Sequence, residues 1–378
     1  MKRRSTKIIR NTVLFILILI VSTLSIVSCT SESSNDTSTI EEKMSPDESD
    51  VLDTSTANKV KVGVSFGTFE NIRFQREAEL MENYAEELGN VEVLVQAAES
   101  DPALQNTQIE NLISQDIDVL LILPQDGKAL NSVVEMANSE GIPVIAYDRL
   151  IMDSNIDYYI SFDSVEVGEL MTKYVIEKLG VNEGNFIIVN GSQTDQNAYL
   201  VRDGIMNILK PYIDEGKISI ISDEFCDNWD GEIAMNNVEN ALTKVSNDVA
   251  AILTSYDGLA NGAIQALEEQ DLAGKVPVTG QDAELAACQS IVEDKMTLTV
   301  YKPLDELAKL AIDSCVKISK GEDVVIDGIT NNDFKDVNTI MPEIYVVDKS
   351  NMKEIIIDSG FQDIEEVYKN IPKEDWPN

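Results

Sequence analysis

The sequence predicts an α/β protein whose main part folds as two lobes with parallel sheets, joined by three crossover segments. Two observations carry that expectation. From Lys59 onward, short apolar runs alternate with longer amphipathic stretches, the pattern of parallel α/β layers. One such run, 158–162, follows the run at 143–148 with no helix between them and opens a fresh series of strand–helix units, which marks a crossing from one lobe to the next.

In the first series, strands are expected at 60–66, 91–96, 119–124 and 143–148. The runs V-L-L-I-L-P and P-V-I-A-Y-D are continuous and apolar, as in strands buried on both faces of a parallel sheet. Amphipathic stretches at 73–88, 103–115 and 128–139 supply their helices. The second series places strands at 185–190, 218–222, 250–255, 276–280 and 298–301, with helices at 165–179, 198–210, 232–244 and 259–270. A last long helix is expected at 305–319. A second crossing near Tyr301 and a third at 341–347 return the chain. The first lobe is then 59–164 with 303–338, and the second is 165–302 with 339–378.

The N-terminus has a different character. Lys2, Arg3, Arg4, Lys7 and Arg10 precede an apolar stretch at 12–27, the form of a secretory signal and short of the ~20 residues that span a bilayer. It ends Ile26-Val27-Ser28-Cys29, similar to a bacterial lipobox. The expectation is a signal peptide at 1–28, lipidation of Cys29 and a membrane-anchored protein exported to the outer face, or to the periplasm if there are two membranes. Residues 30–58 are rich in Ser, Thr, Asp and Glu and read as a disordered tether.

The net charge of −38 argues against nucleic acid and anionic lipid as partners of the folded part, since both demand basic surface. The chain has no histidine, which removes Ser-His-Asp and Cys-His catalysis and His-ligated metals. No metal or cofactor is expected. Cys226, Cys288 and Cys315 are far apart and form no C-x-x-C pair, so they are read as buried thiols.

Polar and aromatic residues collect where the strands should end, the place where ligands of open α/β sheets bind. Phe69, Arg73, Phe74 and Gln75 follow the first strand, and Asp148 and Arg149 the fourth. The second lobe offers Asp195 and Asn197, Trp229, Tyr256 and Asp257, Gln281 and Asp282, and Lys302. Each has a plainer explanation: Asp195, Asp257 and Asp282 as helix N-caps, Trp229 as packing, Lys302 as surface charge, Asp148 and Arg149 as a salt bridge within the loop. Together they are the chemistry that a monosaccharide requires. Its hydroxyls both donate and accept, and its C–H faces suit aromatic rings, here Phe74 from one lobe and Trp229 from the other.

The chain from about 60 to 361 closely resembles the D-xylose-binding proteins of bacterial ABC importers, within the periplasmic sugar-binding superfamily. The motifs that carry the resemblance are Q-I-E-N-L-I at 108–113, A-Y-D-R at 146–149, D-Y-Y-I-S-F-D-S-V-E-V-G-E-L at 157–170, L-K-P-Y at 209–212, G-A-I-Q-A-L at 262–267, G-Q-D-A at 280–283 and T-V-Y-K-P at 299–303. The resemblance implies the type I periplasmic binding protein fold, with two Rossmann-like lobes. It also implies a pyranose held by Arg73, Asp148, Arg149, Asn197, Trp229, Asp282 and Lys302, with Asp195 nearby. Tyr256 stands where the family pattern has asparagine, and Phe74 where it has tryptophan.

The expected function is a non-enzymatic, monomeric receptor that closes on a monosaccharide, D-xylose or another pentose or hexose, and delivers it to ABC transporter permease subunits. A rival reading presents the same occupancy to a membrane histidine kinase or chemoreceptor. A repressor would need a basic helix-turn-helix where the export signal lies. A glycosidase built on Asp148, Asp195 and Asp282 would need a carboxyl able to donate a proton, which Arg149 and Lys302 disfavour.

Overall fold

A computed structural model describes residues 59–377. The signal peptide at 1–28, Cys29 and the tether at 30–58 lie outside the described residues. The chain begins with β1 (Val60–Phe66), α1 (Ile72–Leu88), β2 (Val91–Ala97), α2 (Pro102–Ile113), β3 (Val119–Leu123), α3 (Asn131–Ser139) and β4 (Val144–Tyr147). It reaches β5 (Tyr158–Ile160) with no helix between. It then crosses into α4 (Ser164–Lys173), β6 (Gly184–Asn190), α5 (Gln196–Asp214), β7 (Ile218–Phe225), α6 (Gly231–Lys244), β8 (Ala251–Thr254), α7 (Asp257–Glu268), β9 (Thr279–Gln281), α8 (Leu285–Val292) and β10 (Leu298–Tyr301). A second passage leads into α9 (Leu304–Ser319), β11 (Gly328–Asn331) and β12 (Asp336–Ile340), and a third into β13 (Tyr345–Val347) and α10 (Ile364–Val367).

These passages sort the strands into the two lobes. The first sheet has the order β11-β12-β5-β4-β3-β1-β2 and is parallel except for the edge pair β11–β12. The second lobe holds two ladders, β7-β6-β8 and β13-β10-β9, which meet at the single bridge Ile252–Val278.

Strand β3 shows why a continuous apolar run is needed. Successive side chains of a strand point to opposite faces, and both faces are covered. Val119, Leu121 and Leu123 pack with Phe74 and Met81 of α1 and Leu307 and Ile312 of α9. Leu120 and Ile122 pack with Ile109 and Leu112 of α2 and Val133 and Val134 of α3. The second lobe repeats the plan: Ile187 and Val189 face α6 and α7, and Phe186 and Ile188 face α4 and α5.

The run expected at 276–280 forms ladder only from Thr279. Pro277 has no N–H to give a ladder, though its carbonyl accepts from Ile252 N (2.9 Å); beyond it Thr254 and Thr279 are linked through their hydroxyls. Thr254 N donates to Thr279 Oγ1 (3.3 Å) and Thr254 Oγ1 to the Thr279 carbonyl (2.6 Å). Elements α8, β11, β12 and β13 are absent from the sequence reading. Helix α8 is only two turns long, and β11 shows Ile329 to solvent, so neither carries a clear apolar period. The three described cysteines, Cys226, Cys288 and Cys315, are unpaired and buried.

Leu121→Ala, which empties a fully buried site between α1 and α9, is expected to destabilise the protein by about 3 kcal/mol. Ile329→Ala, on an exposed edge, should change stability by no more than ~0.5 kcal/mol. Urea denaturation of the two variants checks the contrast.

Candidate functional site

The carboxyl ends of both sheets face one another across a cavity of about 250 Å³. Its chemistry is set by Arg73, in the first turn of α1. Asn71 caps that helix by accepting from Arg73 N (2.9 Å), so the arginine side chain leaves the helix close to the end of β1. Its guanidinium meets three carboxylates: Glu77 Oε1 from Nε (2.7 Å), Asp148 Oδ2 from Nη2 (2.6 Å) and Asp282 Oδ1 from Nη1 (3.4 Å). Asp148 belongs to the first lobe and Asp282 to the second. Burial opposes the cation, but Asp148, Glu77 and Asp282 outweigh it and hold the proton more firmly than in an ordinary arginine.

Two further pairs complete the rim. Lys302 Nζ lies 2.7 Å from Asp282 Oδ1. Arg149 Nε lies 2.8 Å from Asp195 Oδ2, a contact between the lobes. Burial pushes Asp282 up, yet Lys302 and Arg73 together bring it below its ordinary value. Asp195 runs the other way: burial outweighs Arg149 and raises it, so the neighbouring cations do not keep every carboxyl of the site low. Asp195 also caps α5, accepting from Asn197 N (2.9 Å), and thus fills both roles considered for it.

Asp148 has a left-handed backbone, φ 60°, a conformation that aspartate adopts more readily than most side chains. Its carbonyl accepts from Tyr159 Oη (2.8 Å), Ser161 Oγ (2.7 Å) and Asn197 Nδ2 (2.8 Å). Asn197 comes from the second lobe, and its amide oxygen accepts from Ser164 Oγ (3.2 Å). Asp282 and Trp229 are left-handed too, with φ 98° and 58°. Ser100 and Asn228 of the cavity lining have positive φ as well; of these five, the bulky Trp229 is the residue least suited to it.

The aromatic walls come from both lobes. Phe74 is buried and carries the Arg73 and Arg149 guanidinium groups 5.5 and 5.4 Å from its ring centre. Trp229 is half-buried and meets Tyr256 edge-on at 5.9 Å. Gly191 makes this possible, because a Cβ there would lie 2.2 Å from the indole. The Tyr256 hydroxyl donates to Glu284 Oε1, leaving the ring to face the cavity.

The cavity lining thus brings together Arg73, Phe74, Asp148, Arg149, Asp195, Asn197, Trp229, Tyr256, Asp282 and Lys302. Asp257 is not part of it. It lies fully buried behind Tyr256, accepting from Thr299 Oγ1 (2.9 Å) and Glu284 N (2.9 Å), with its carboxyl pushed well up by burial. Among lining residues that the sequence reading passes over are Thr68, Ser100, Gln125, Ser192 and Thr194. All follow strands, but small polar residues are ordinary in any loop. Glu77, one helical turn from Arg73, is also missed.

A cleft between two α/β lobes, ringed with paired charges and faced by aromatic rings, defines a class of two-lobed solute receptors. The chain belongs to the periplasmic binding protein domain family, which matches residues 62–323. It is 42% identical over 309 residues to a D-xylose-binding periplasmic protein of Haemophilus influenzae, covering 82% of this chain and 92% of that one. The D-xylose-binding periplasmic protein of Escherichia coli is 42% identical over 305 residues, covering 81% and 92%. Among solved structures, an ABC transporter solute binding protein from Clostridium phytofermentans with bound β-D-glucose superposes with a TM-score of 0.75 at 30% identity. That match covers 81% of this chain and 99% of the other. These relatives are binding proteins, and the chain is a non-enzymatic member of their family.

Gly191→Ala is expected to push the Trp229 indole out of place while the fold persists. In a Trp376→Phe background, which leaves Trp229 as the sole tryptophan, its fluorescence emission should shift to the red with little change in far-UV circular dichroism. An unchanged emission spectrum counts against the contact.

Proposed function

We propose that this protein is an extracytoplasmic monosaccharide receptor, with D-xylose as its ligand, that closes on the sugar and presents it to the permease of an ABC importer. The observation that carries the reading is the cleft itself: acids and bases from both lobes alternate around a cavity walled by Phe74 and Trp229, in a chain 42% identical to D-xylose-binding proteins. Charged donors and acceptors bind hydroxyls roughly twice as strongly as neutral ones. The sugar ring offers its C–H faces to the aromatic walls.

Because Asp148, Arg73 and Arg149 belong to one lobe and Asp195, Asn197, Asp282 and Lys302 to the other, a ligand contacting both sets stabilises the closed arrangement. The three passages between the lobes serve as the hinge. A transporter that recognises only the closed form then receives loaded receptor. Lipidation of Cys29, followed by the tether at 30–58, holds the receptor at the membrane surface where that encounter takes place. A hexose reading has specific support in the glucose bound to the Clostridium phytofermentans relative, and Tyr256 is the residue on which the choice turns.

Calorimetry of the sugar-stripped protein against xylose, ribose, arabinose, glucose and galactose tests the assignment. Tight binding of xylose with weak binding of the rest is expected; preference for glucose moves the specificity to a hexose, and Tyr256→Asn is then the variant to measure. Asp148→Ala should abolish binding with the fold intact by circular dichroism. In cells, the protein should incorporate labelled fatty acid and Cys29→Ala should lose the label, whereas an unlabelled wild type rejects the lipid anchor.

A further inference from the structure

The buried ionic groups of the cleft do not balance between the lobes. The first lobe contributes two cations, Arg73 and Arg149, and two carboxyls, Asp148 and Glu77. The second contributes one cation, Lys302, and two carboxyls, Asp195 and Asp282. The first set is neutral when Glu77 is ionised. Bringing the second set against it leaves one negative charge in excess, within an interior where an uncompensated charge is costly.

Two carboxyls of this set are raised by burial, Asp195 and Glu77; Asp195 keeps Arg149 as a direct partner, whereas Glu77 shares its cation with two other carboxyls. It is fully buried on α1, and its Oε1 accepts from Arg73 Nε at 2.7 Å. Its other oxygen, Oε2, and the Tyr147 hydroxyl are both buried and, among the described residues, make no hydrogen bond of good geometry, although the two groups are near enough for the hydroxyl to hold the Glu77 carboxyl down somewhat. The groups that face it are Arg73 from its own helix and Tyr147 and Asp148 from the end of β4. Asp282 of the second lobe acts on it through Arg73. Asp257 and Glu284 stand further off behind Tyr256, where burial raises both. Burial pushes the Glu77 carboxyl up to about 7, with Arg73 opposing and Asp148 reinforcing the rise.

We propose that Glu77 is the positioning residue of the cleft: it aims the Arg73 guanidinium at Asp148 and Asp282, and it takes up a proton when the second lobe closes. The inference rests on the sugar-binding reading and adds a regulation of that same site. One carboxylate oxygen fixes Nε, so Nη2 reaches Asp148 of the same lobe and Nη1 reaches Asp282 of the other. When Asp282 arrives, Arg73 is shared among three carboxyls, and Glu77, the one outside the cavity lining, is the one that is neutralised. A protonated Glu77 still accepts from Arg73 through Oε1, so the aim is kept while the charge excess disappears.

Linkage fixes the sign. A group whose pKa is higher in the closed form than in the open form takes up protons on closing, so ligand affinity is greatest on the acid side and falls as pH rises through neutrality. One pKa unit of difference between the two forms corresponds to a tenfold change in affinity.

The test is calorimetry of the full chain with D-xylose and D-glucose between pH 5.5 and 8.5, in buffers of different ionisation enthalpy so that proton uptake is counted directly. The wild type should take up a fraction of a proton on binding and lose roughly tenfold in affinity across that range. Glu77→Gln keeps an acceptor for Arg73 Nε without the charge. It should bind at the wild type's acid-limb affinity at every pH, with no proton uptake. Glu77→Ala, checked for folding by circular dichroism, should lose affinity at all pH values because the guanidinium is no longer aimed. A wild-type affinity that does not vary with pH, or a Glu77→Gln protein that keeps the slope, overturns the inference while sugar binding stands. Silence of the wild type toward every sugar at every pH overturns the sugar reading and this inference with it.

Discussion

A guanidinium buried among carboxylates is the interaction on which this molecule depends. Arg73 is anchored by Glu77 on its own helix, paired with Asp148 in its own lobe and with Asp282 in the other. Such a cluster contributes little to net stability, since desolvation consumes most of the Coulomb energy. Removing Arg73, however, leaves three buried carboxyls without the cation they share. Arg73 therefore ties the conformation of α1, the turn after β4 and the turn after β9 to one another. Most apolar packing stays within the lobes, with β3 enclosed by α1, α2, α3 and α9, while Ile344 and Phe361, after the third passage begins, pack against the cores of both. The contacts across the cleft are polar. That division lets each lobe hold its shape while its position relative to the other answers to charge and hydrogen bonding.

The sequence made much of the fold legible because parallel strands must be apolar on both faces. V-L-L-I-L at β3 and V-I-A-Y at β4 leave no amphipathic alternative. The same logic fails for β11 and β12. There an edge pair shows one face to water, so polar residues interrupt the apolar period. The ladder at 276–278 fails for a different reason. Pro277 gives no N–H, and β8 is linked to β9 partly through the hydroxyls of Thr254 and Thr279, which no pattern of hydrophobicity encodes.

Site residues were legible in proportion to how unusual they are at a strand end. Asp148 and Arg149, adjacent opposite charges after an apolar run, stand out. Trp229 does so as one of two tryptophans in the chain. Asp257 resembles a site residue because it directly follows Tyr256, yet the turn into α7 sends their side chains apart, one to the cavity and the other to Thr299. Glu77 is hidden for the opposite reason. Within R-F-Q-R-E-A-E it reads as one more acidic residue on a helix of a strongly acidic protein, and only the packing of α1 against β4 distinguishes it from the exposed glutamates around it.

The left-handed turn at Asp148 bears on how binding is organised in time. Its carbonyl is held by Tyr159 and Ser161 of its own lobe, and by Asn197 only when the other lobe is near. Two of the three restraints therefore come from the lobe that carries the turn, and the carboxylate is held within the same lobe by Arg73 Nη2. The entropy of ordering that side chain is lost once, during folding, and not at each encounter. The hold of the second lobe on this carbonyl is the Asn197 amide alone, so the acidic turn owes its shape to the lobe that carries it.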